Sequence, residues 1–250
     1  MRYFIQFSYD GTAYHGWQVQ PNADTVQIRL DTALTILLRR PVRTIGAGRT
    51  DTGVHARMMV AHFDSVEEIN APDLCRRLTR MLPPDIAVQQ IVPVEGKPNA
   101  RFDAIRRTYH YDIIQCKDPF RRHFATRIHY TLDFDRMNKA AEELLGEHDF
   151  TSFCKRGTDT PTNLCTVFEA RWIPMGEGMW RFRISANRFL RNMVRAVVGT
   201  LFAVGNGRIS LEEFREILVA ADRCMAGESA PAKGLSLVEV AYPEEIFTPV

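Results

Sequence analysis

The sequence predicts an α+β fold made of two related halves. Residues 2–9 and the segment "RRTYHYDIIQ" alternate between polar and apolar side chains, as half-buried strands do, and they lie in different halves of the 250-residue chain. Segments with apolar residues at helical spacing follow the strands in comparable order in both halves, and this mixture favours an α+β architecture. We expect an N-terminal half at residues 1–104 and a C-terminal half at residues 105–250.

The N-terminal half contains three expected strands and two expected helices. Strand 2–9 leads into the turn-rich loop "DGTAYHGWQ". Asp24 and Gln27 have the spacing of a helix capping box, and the apolar residues after them recur at helical intervals. The other elements are a strand at 58–63, a helix at 73–82 that two prolines end, and a strand at 86–94.

The C-terminal half begins with the strand "RRTYHYDIIQ" and continues with a helix at 133–145, which Gly146 is expected to end. Gly176 and Gly178 predict the turn of a hairpin. Three further elements complete this half: a helix at 190–202 with one apolar stripe, a helix at 211–218 that Ser210 and Glu213 cap, and a final strand at 234–243.

Basic residues are concentrated in two segments, although the net charge is only +2. Residues 101–130 contain seven Lys and Arg against three Asp, and residues 171–195 contain six Arg against one Glu. Both segments also carry aromatic residues, and basic and aromatic side chains together suit phosphates and unstacked bases. The pattern favours RNA binding, but solvated strand faces with a buried aromatic side would produce it as well.

The cysteine, histidine and hydropathy patterns argue against metal, disulfide and membrane chemistry. Five cysteines are widely spaced without a Cys-x-x-Cys motif, and seven histidines show no ligand spacing. We therefore expect no bound metal, no disulfide framework and a reducing, cytoplasmic location. The longest apolar run, residues 196–204, is shorter than the roughly 20 residues of a membrane helix, and the N-terminus has no signal-peptide layout.

A polar loop, "TIGAGRTDTGVHARMM", places Asp51 at its centre and Arg49 two residues before it. The loop departs from a dinucleotide fingerprint because Asp51 occupies the third glycine position, and from a P-loop because Val54 stands where lysine is needed. Asp-Thr-Gly is also the triplet of aspartic proteases, which need two carboxylates sharing a proton. The chain has one such triplet, and the neighbouring guanidinium favours an ionised carboxylate, which opposes a shared proton.

A single ionised aspartate held by an arginine suits chemistry at a sugar carbon. It can attack C1′ or stabilise an oxocarbenium-like centre without a metal or a cofactor. No second acid lies within the motif, and a leaving group that is stable as an anion, such as N1 of uracil, does not need one. A loop salt bridge between Asp51 and Arg49 with no catalytic role is also compatible with these residues.

Six ordered blocks of the sequence resemble the pseudouridine synthases of the TruA family. The block "GRTDTGVHA" resembles their catalytic loop, in which Ala is common at the position of Thr52. The likeness extends over nearly the whole chain through five further blocks: "YDGTAYHGWQ", "RRTYHYDI", "GEHDFTSF", "RFLRNMVRAVVG" and "GLSLVEVAYP". Six blocks in the same order are far more specific than one loop.

The resemblance implies an enzyme that isomerises uridine to pseudouridine at positions 38, 39 and 40 of the tRNA anticodon stem-loop. It implies the pseudouridine synthase fold, in which two related α+β halves share a central, mostly antiparallel sheet with a catalytic cleft. It also implies tRNA as partner, a homodimer in which one tRNA touches both subunits, and no cofactor. The alternative is a non-catalytic RNA-binding module on the same fold, which would not need Asp51.

Four residues carry the site that the resemblance implies. Asp51 corresponds to the catalytic nucleophile, and Tyr109, the first Tyr of "TYHY", to the active-site tyrosine beside the flipped base. Arg195 corresponds to the arginine expected to pair with Asp51, and Arg49 is expected to contact the RNA backbone or to enter the space that the base leaves. From residue type alone, Tyr109 would be a core aromatic and Arg195 a snorkelling arginine at a helix flank.

Overall fold

Antiparallel strands and α-helices make up most of the computed structural model, which describes residues 1–157 and 160–247. The predicted α+β class is therefore confirmed. The chain forms two compact units: unit 1 comprises residues 1–106 and 237–250, and unit 2 comprises residues 107–236. The single boundary expected after residue 104 stays a prediction. None of the helices in the described residues is long and apolar enough to cross a membrane.

The described residues form ten strands and five α-helices, together with three short 3-10 helices. The strands are β1 (Arg2–Tyr9), β2 (Ile45–Gly46), β3 (His55–Asp64), β4 (Ile86–Val94), β5 (Arg106–Ile114), β6 (Thr126–Arg127), β7 (Gly146–Asp149), β8 (Leu164–Gly176), β9 (Met179–Ala186) and β10 (Leu235–Ala241). The helices are α1 (Val26–Leu38), α2 (Ala71–Met81), α3 (Phe134–Glu142), α4 (Met193–Gly205) and α5 (Leu211–Val219).

Unit 1 is built on the strand order β4–β1–β3–β10, and β2 pairs with β3. β1 lies antiparallel to both β3 and β4, and its bounds and those of β4 are the predicted ones. The α2 helix packs on β4, where the Thr79 hydroxyl donates to the Val88 carbonyl at 3.2 Å. The Tyr3 hydroxyl of β1 accepts the N–H of Ile69, just before α2, at 2.9 Å. The aromatic and aliphatic side chains of β1 are buried in the core.

The capping box predicted from Asp24 and Gln27 is wrong. Thr25 is the N-cap of α1, and its hydroxyl accepts a backbone N–H of the first turn at 3.4 Å. Gln27 is buried instead: its Nε2 donates to the Thr44 carbonyl at 2.7 Å, and its Oε1 accepts the N–H of Val19 at 3.0 Å. Because the Gln27 amide makes hydrogen bonds to these two backbone groups, it does not cap the helix.

Two elements of unit 1, β3 and α2, begin earlier than predicted. β3 begins at His55 rather than residue 58, because the backbone of Ala56 already pairs with Tyr9 of β1. α2 begins at Ala71 rather than residue 73, because the Asn70 side chain accepts the N–H of Asp73 and caps the helix.

Unit 2 has the strand order β5–β9–β8–β7, and β6 pairs in parallel with β5. The hairpin between β8 and β9 is confirmed, and Gly176 and Gly178 take positive φ angles of 80° and 70° at its turn. The capping box of α5 is also confirmed, with Ser210 and Glu213 in their predicted roles. The prediction that Gly146 ends α3 is wrong. The helix ends at Glu142, the chain then turns with the N–H of Leu144 donating to the Ala141 carbonyl at 3.1 Å, and Gly146 is the first residue of β7.

The α4 helix begins three residues later than the predicted start at 190. Asn192 adopts a left-handed φ of 66° immediately before the first helical residue, which prevents the helix from extending further back. Leu190 is nevertheless buried, outside the helix, and its carbonyl accepts the N–H of Met193 at 3.1 Å. Helical periodicity therefore placed Leu190 in the core correctly but extended the helix too far.

His62 on β3 is a buried polar residue that anchors the end of unit 1's first segment. Its Nδ1 accepts the N–H of Ala100 at 3.0 Å. Burial, with a smaller contribution from the Arg2 charge, lowers the pKa of His62 to about 4, so the ring is neutral at pH 7. A neutral ring that accepts through Nδ1 carries its proton on Nε2.

Acidification should destabilise the protein through His62. Between its unfolded pKa of about 6.5 and its folded pKa of about 4 only the unfolded state binds the proton. This contribution to the free energy of unfolding is fully present above about pH 6.5 and is lost as pH falls through that window. We expect the free energy of unfolding, measured by urea denaturation, to fall between pH 7 and pH 5 by about 2 kcal/mol less in His62→Asn than in the wild type. His129→Asn, at an exposed position, is the control, and a wild-type pH dependence in His62→Asn would contradict this assignment.

Candidate active site

Asp51 lies in a short loop, residues 47–54, between β2 and β3 in unit 1. The loop begins with a β-type contact in which the N–H of Ala47 donates to the Val60 carbonyl at 2.8 Å. Beyond Asp51 the chain turns back, and the N–H of Val54 donates to the Asp51 carbonyl at 3.1 Å. The Asp51 side chain is half-buried and Arg49 is exposed. The Asp51 side chain is thus partly accessible to solvent at this turn.

The backbone of Gly16 packs directly on the Asp51 loop. A Cβ at Gly16 would lie 2.3 Å from the Thr50 carbonyl oxygen and 3.1 Å from the carbonyl carbon of Asp51, and its φ is +86°. Two backbone hydrogen bonds join the same segments, from Trp17 N–H to Thr50 O at 3.3 Å and from Gly53 N–H to Tyr14 O at 3.2 Å. Only glycine permits this approach, so residue 16 fixes the position of the catalytic candidate.

A second close contact lies on the other side of Asp51. A Cβ at Gly11 would be 2.0 Å from the Val54 carbonyl oxygen. His55 is buried beside it, with Nδ1 at 3.0 Å from both the Gly11 nitrogen and an Asp10 carboxylate oxygen. Within the folded unit the Tyr9 hydroxyl shares a 2.8 Å hydrogen bond with that of Thr50. We interpret the contacts of His55, like the hydrogen bond from Gly53 to Tyr14, as structural support for the loop.

The α1 helix supports the entrance to the loop. Besides Gln27, which binds the Thr44 carbonyl, Asp31 accepts both the N–H and the hydroxyl of Thr44, at 3.0 and 2.6 Å. Burial raises the pKa of the Asp31 carboxyl group. The Trp17 indole lies against Gly46, where a Cβ would approach its Nε1 to 2.6 Å. The segment that leads to Asp51 is therefore held from the helix side and from the 9–17 segment.

Tyr109 and Arg195 both lie in unit 2. Tyr109 is on β5 and is only 8% exposed. Its ring makes a T-shaped contact with the ring of Phe189, with centroids 5.1 Å apart. Arg195 is half-buried on the first turn of α4, and its Nε donates to the Ala230 carbonyl at 2.7 Å. The Arg195 carbonyl in turn accepts the N–H of Ala230 at 2.9 Å. A bond at Nε fixes the plane of the guanidinium group.

The segment that holds Arg195, residues 222–231, was not identified from the sequence. It packs so closely on α4 that a Cβ at Gly199 would lie 1.7 Å from the Glu228 carbonyl oxygen. Arg223 clamps it internally by donating to the carbonyls of Ala226 and Gly227 at 3.2 and 3.1 Å. The available signal was Gly199, because a glycine within an apolar helix often marks a close backbone approach.

The four predicted site residues therefore fall into two pairs. Arg49 and Asp51 share one loop of unit 1, and Tyr109 and Arg195 lie on β5 and α4 of unit 2.

Burial raises the pKa of Tyr111, two residues from Tyr109, and the positive charge of Arg195 opposes that rise. Within residues 1–157 and 160–247, no three His, Cys, Asp or Glu side chains are grouped as a metal site would require.

Comparison with known proteins gives the chain its family. A family model described as tRNA pseudouridine synthase matches residues 5–103 and 140–243. The tRNA pseudouridine synthase A of Bacteroides thetaiotaomicron is 52% identical over 249 residues, covering 99% of this chain and 93% of the relative. Its counterpart from Bacteroides fragilis is 51% identical over 98% of both chains, and that from Bacillus subtilis is 41% identical over 97% of this chain and 99% of the relative.

Both the family model and the relatives cover most of the chain, including the Asp51 loop and the element that carries Arg195. The chain belongs to the tRNA pseudouridine synthase family, whose members are isomerases.

Proposed function

We propose that the chain converts uridine to pseudouridine at positions 38, 39 and 40 of the tRNA anticodon stem-loop, in the cytoplasm and without a cofactor. The observation that carries this proposal is the half-buried Asp51 carboxylate in a loop held by the backbone of Gly11 and Gly16. Catalysis by positioning requires a reacting group that is already in place, and this loop meets that requirement. The names of the relatives supply the substrate class, tRNA.

The proposed reaction is an isomerisation in which the bond from C1′ of the ribose moves from N1 to C5 of the uracil, with no net loss of atoms. The target uridine first leaves its stack, which costs a few kcal/mol. Asp51 then assists cleavage of the N1–C1′ bond, the freed uracil turns while it stays bound to the enzyme, and its C5 bonds to C1′. C5 loses its proton and N1 gains one. Direct attack of Asp51 on C1′ and removal of a 2′ proton to give a glycal are both compatible with an ionised Asp51.

The other three residues have supporting roles in this proposal. The T-shaped contact with Phe189 suits Tyr109 to act as a wall beside the extruded base, and its hydroxyl can take part in the late proton transfer. Arg195, whose plane is fixed through Nε, is suited to orient the Asp51 carboxylate. Exposed Arg49 contacts the RNA backbone or the space left by the base.

Replacing Asp51 by Asn should abolish pseudouridine formation. The amide has nearly the same shape as the carboxylate but cannot act as an anionic nucleophile, so tRNA binding should remain within a few fold of the wild type. Tritium release from C5-labelled uridine in tRNA and filter binding measure the two effects. Asp73→Asn, on the first turn of α2 with its side chain 38% exposed, is the matched control and should keep full activity. Near-normal turnover by Asp51→Asn would refute the catalytic assignment.

Replacing Arg195 by Lys should lower turnover more than affinity. Lysine keeps the charge but loses the planar group that Ala230 orients, and a carboxylate partner is then held less accurately. We expect kcat to fall by at least about tenfold, corresponding to roughly 1.4 kcal/mol, while KM changes little. Arg215→Lys, on the exposed surface of α5, is the control. A rise in KM with unchanged kcat would instead identify Arg195 as a contact that binds tRNA equally in the ground and transition states.

We also propose that the protein acts as a homodimer. The chain carries a net charge of only +2, and a C2 dimer repeats each basic segment across a two-fold axis, which lengthens the track available to a polyanion.

Light scattering at micromolar concentration should therefore give the mass of two 28.6 kDa chains. Activity should fall on dilution together with the dimer fraction, because one tRNA is expected to touch both subunits. A monomer with full activity at the same concentration would exclude the dimer as the working form.

A further inference from the structure

The segment after β5 in unit 2, residues 115–125 and here named the Phe120 loop, is bound to the tip of the β8–β9 hairpin. The N–H of Gln115 donates to the Gly178 carbonyl at 3.0 Å, and the thiol of Cys116 donates to the Glu177 carbonyl at 3.7 Å. Arg121 reaches the same tip, with a nitrogen 3.5 Å from the Glu177 carboxylate. Contacts with the hairpin therefore help to fix the position of the loop.

Internal hydrogen bonds also order the Phe120 loop. The Asp118 carboxylate accepts the N–H of Phe120 at 2.8 Å and lies 3.3 Å from the Arg121 guanidinium. Arg122 donates from Nη1 to the Pro119 carbonyl at 2.7 Å. The loop thus has a defined conformation before any partner arrives, and binding through it would cost little additional conformational entropy.

This ordered loop leaves its central aromatic ring in water. Phe120 is 91% exposed, so the ring contributes almost nothing to the core. The loop and the adjoining β6 strand carry four basic side chains, against two carboxylates at the loop and the hairpin tip, those of Asp118 and Glu177, both of which pair with Arg121. The four are Lys117, Arg121, Arg122 and Arg127. An exposed ring among positive charges offers a stacking surface next to phosphate-binding groups.

We propose that the Phe120 loop is an RNA-contacting site at which Phe120 stacks on an unpaired base or a terminal base pair and Arg122 binds a neighbouring phosphate. The inference rests on the proposed function, since it takes tRNA as the ligand. A polyanion suits the excess of basic groups at this loop. A protein partner would instead have to present acidic groups opposite them.

The position of the loop separates it from the reacting nucleotide. Ile114, the last residue of β5, lies five residues beyond Tyr109, or about 17 Å along an antiparallel strand. The loop therefore contacts a part of the tRNA away from the base beside Tyr109. A contact of that kind holds the substrate equally in the ground and transition states, so it affects KM and leaves kcat unchanged.

Steady-state kinetics with full-length tRNA test this proposal. Phe120→Ala should raise KM about fivefold to tenfold, because stacking on one aromatic residue contributes that much to binding, and kcat should stay within about twofold of the wild type. Phe120→Tyr keeps a ring and should restore the wild-type KM. The matched control is Phe168→Ala, which removes a 52% exposed phenyl ring from β8 in the same unit and should have no effect.

Arg122→Gln tests the phosphate contact separately. The variant should bind tRNA more weakly, and the slope of log affinity against log salt should become shallower by about one. Thermal melts check that each variant is folded.

An unchanged KM in a folded, active Phe120→Ala would overturn the inference. So would a loss of self-association in that variant with no change in tRNA affinity at equal dimer concentration, because the ring would then contact a second copy of the chain. If the wild type forms no pseudouridine but Phe120→Ala still weakens tRNA binding, the proposed function fails and the RNA contact stands.

Discussion

Backbone-to-backbone packing at Gly11 and Gly16 is the constraint on which the rest of the Asp51 site depends. A methyl group at either position would lie 2.0 to 2.3 Å from a carbonyl oxygen of the Asp51 loop, a distance that real side chains do not adopt. The loop must therefore move if either glycine is replaced. Because the loop's own hydrogen bonds run to the same 9–17 segment, displacement of that segment would carry the carboxylate with it. The position of Asp51 is thus set by residues that have no reactive groups.

The same principle applies to Arg195 in unit 2. Its guanidinium is oriented by the carbonyl of Ala230, and the segment that carries Ala230 is packed on α4 at Gly199. Arg223 and its carbonyl partners keep that segment in shape. Asp51 and Arg195 are both held by backbone atoms of irregular segments, which satisfy their own polar groups through hydrogen bonds to the framework.

The regular elements were predictable because their signals are local. The alternation of β1, the glycines of the β8–β9 turn and the capping box at Ser210 each depend on residues close in sequence, and the structure contains all three. Gln27 shows where such signals fail, because its spacing suited a cap while a buried carbonyl distant in sequence claimed its amide. Asn192 is similar: the apolar periodicity continued through it, but its left-handed backbone ended the helix.

The candidate site was predictable in part for a related reason. The Asp51 loop carries its chemistry in contiguous residues, so its motif could be recognised directly. The supports at Gly16 and Ala230 are contacts between backbone segments that are distant in sequence. Glycine and alanine have no functional group that would indicate such a role in a sequence. The exposed ring of Phe120 is likewise invisible to sequence patterns, since aromatic residues in strand-rich segments are usually buried.

We propose that this protein, through Asp51 and without a metal or cofactor, breaks the N1–C1′ bond of uridine in tRNA and forms a C5–C1′ bond. The most direct measurement is release of tritium from tRNA labelled at C5 of its uridines, by purified wild-type protein in the presence of EDTA and without added cofactor. We expect catalytic release that reaches a plateau at no more than three uridines per tRNA, at positions 38, 39 and 40. Tight tRNA binding with no release of tritium would contradict it and would identify the chain as an RNA-binding protein without this activity.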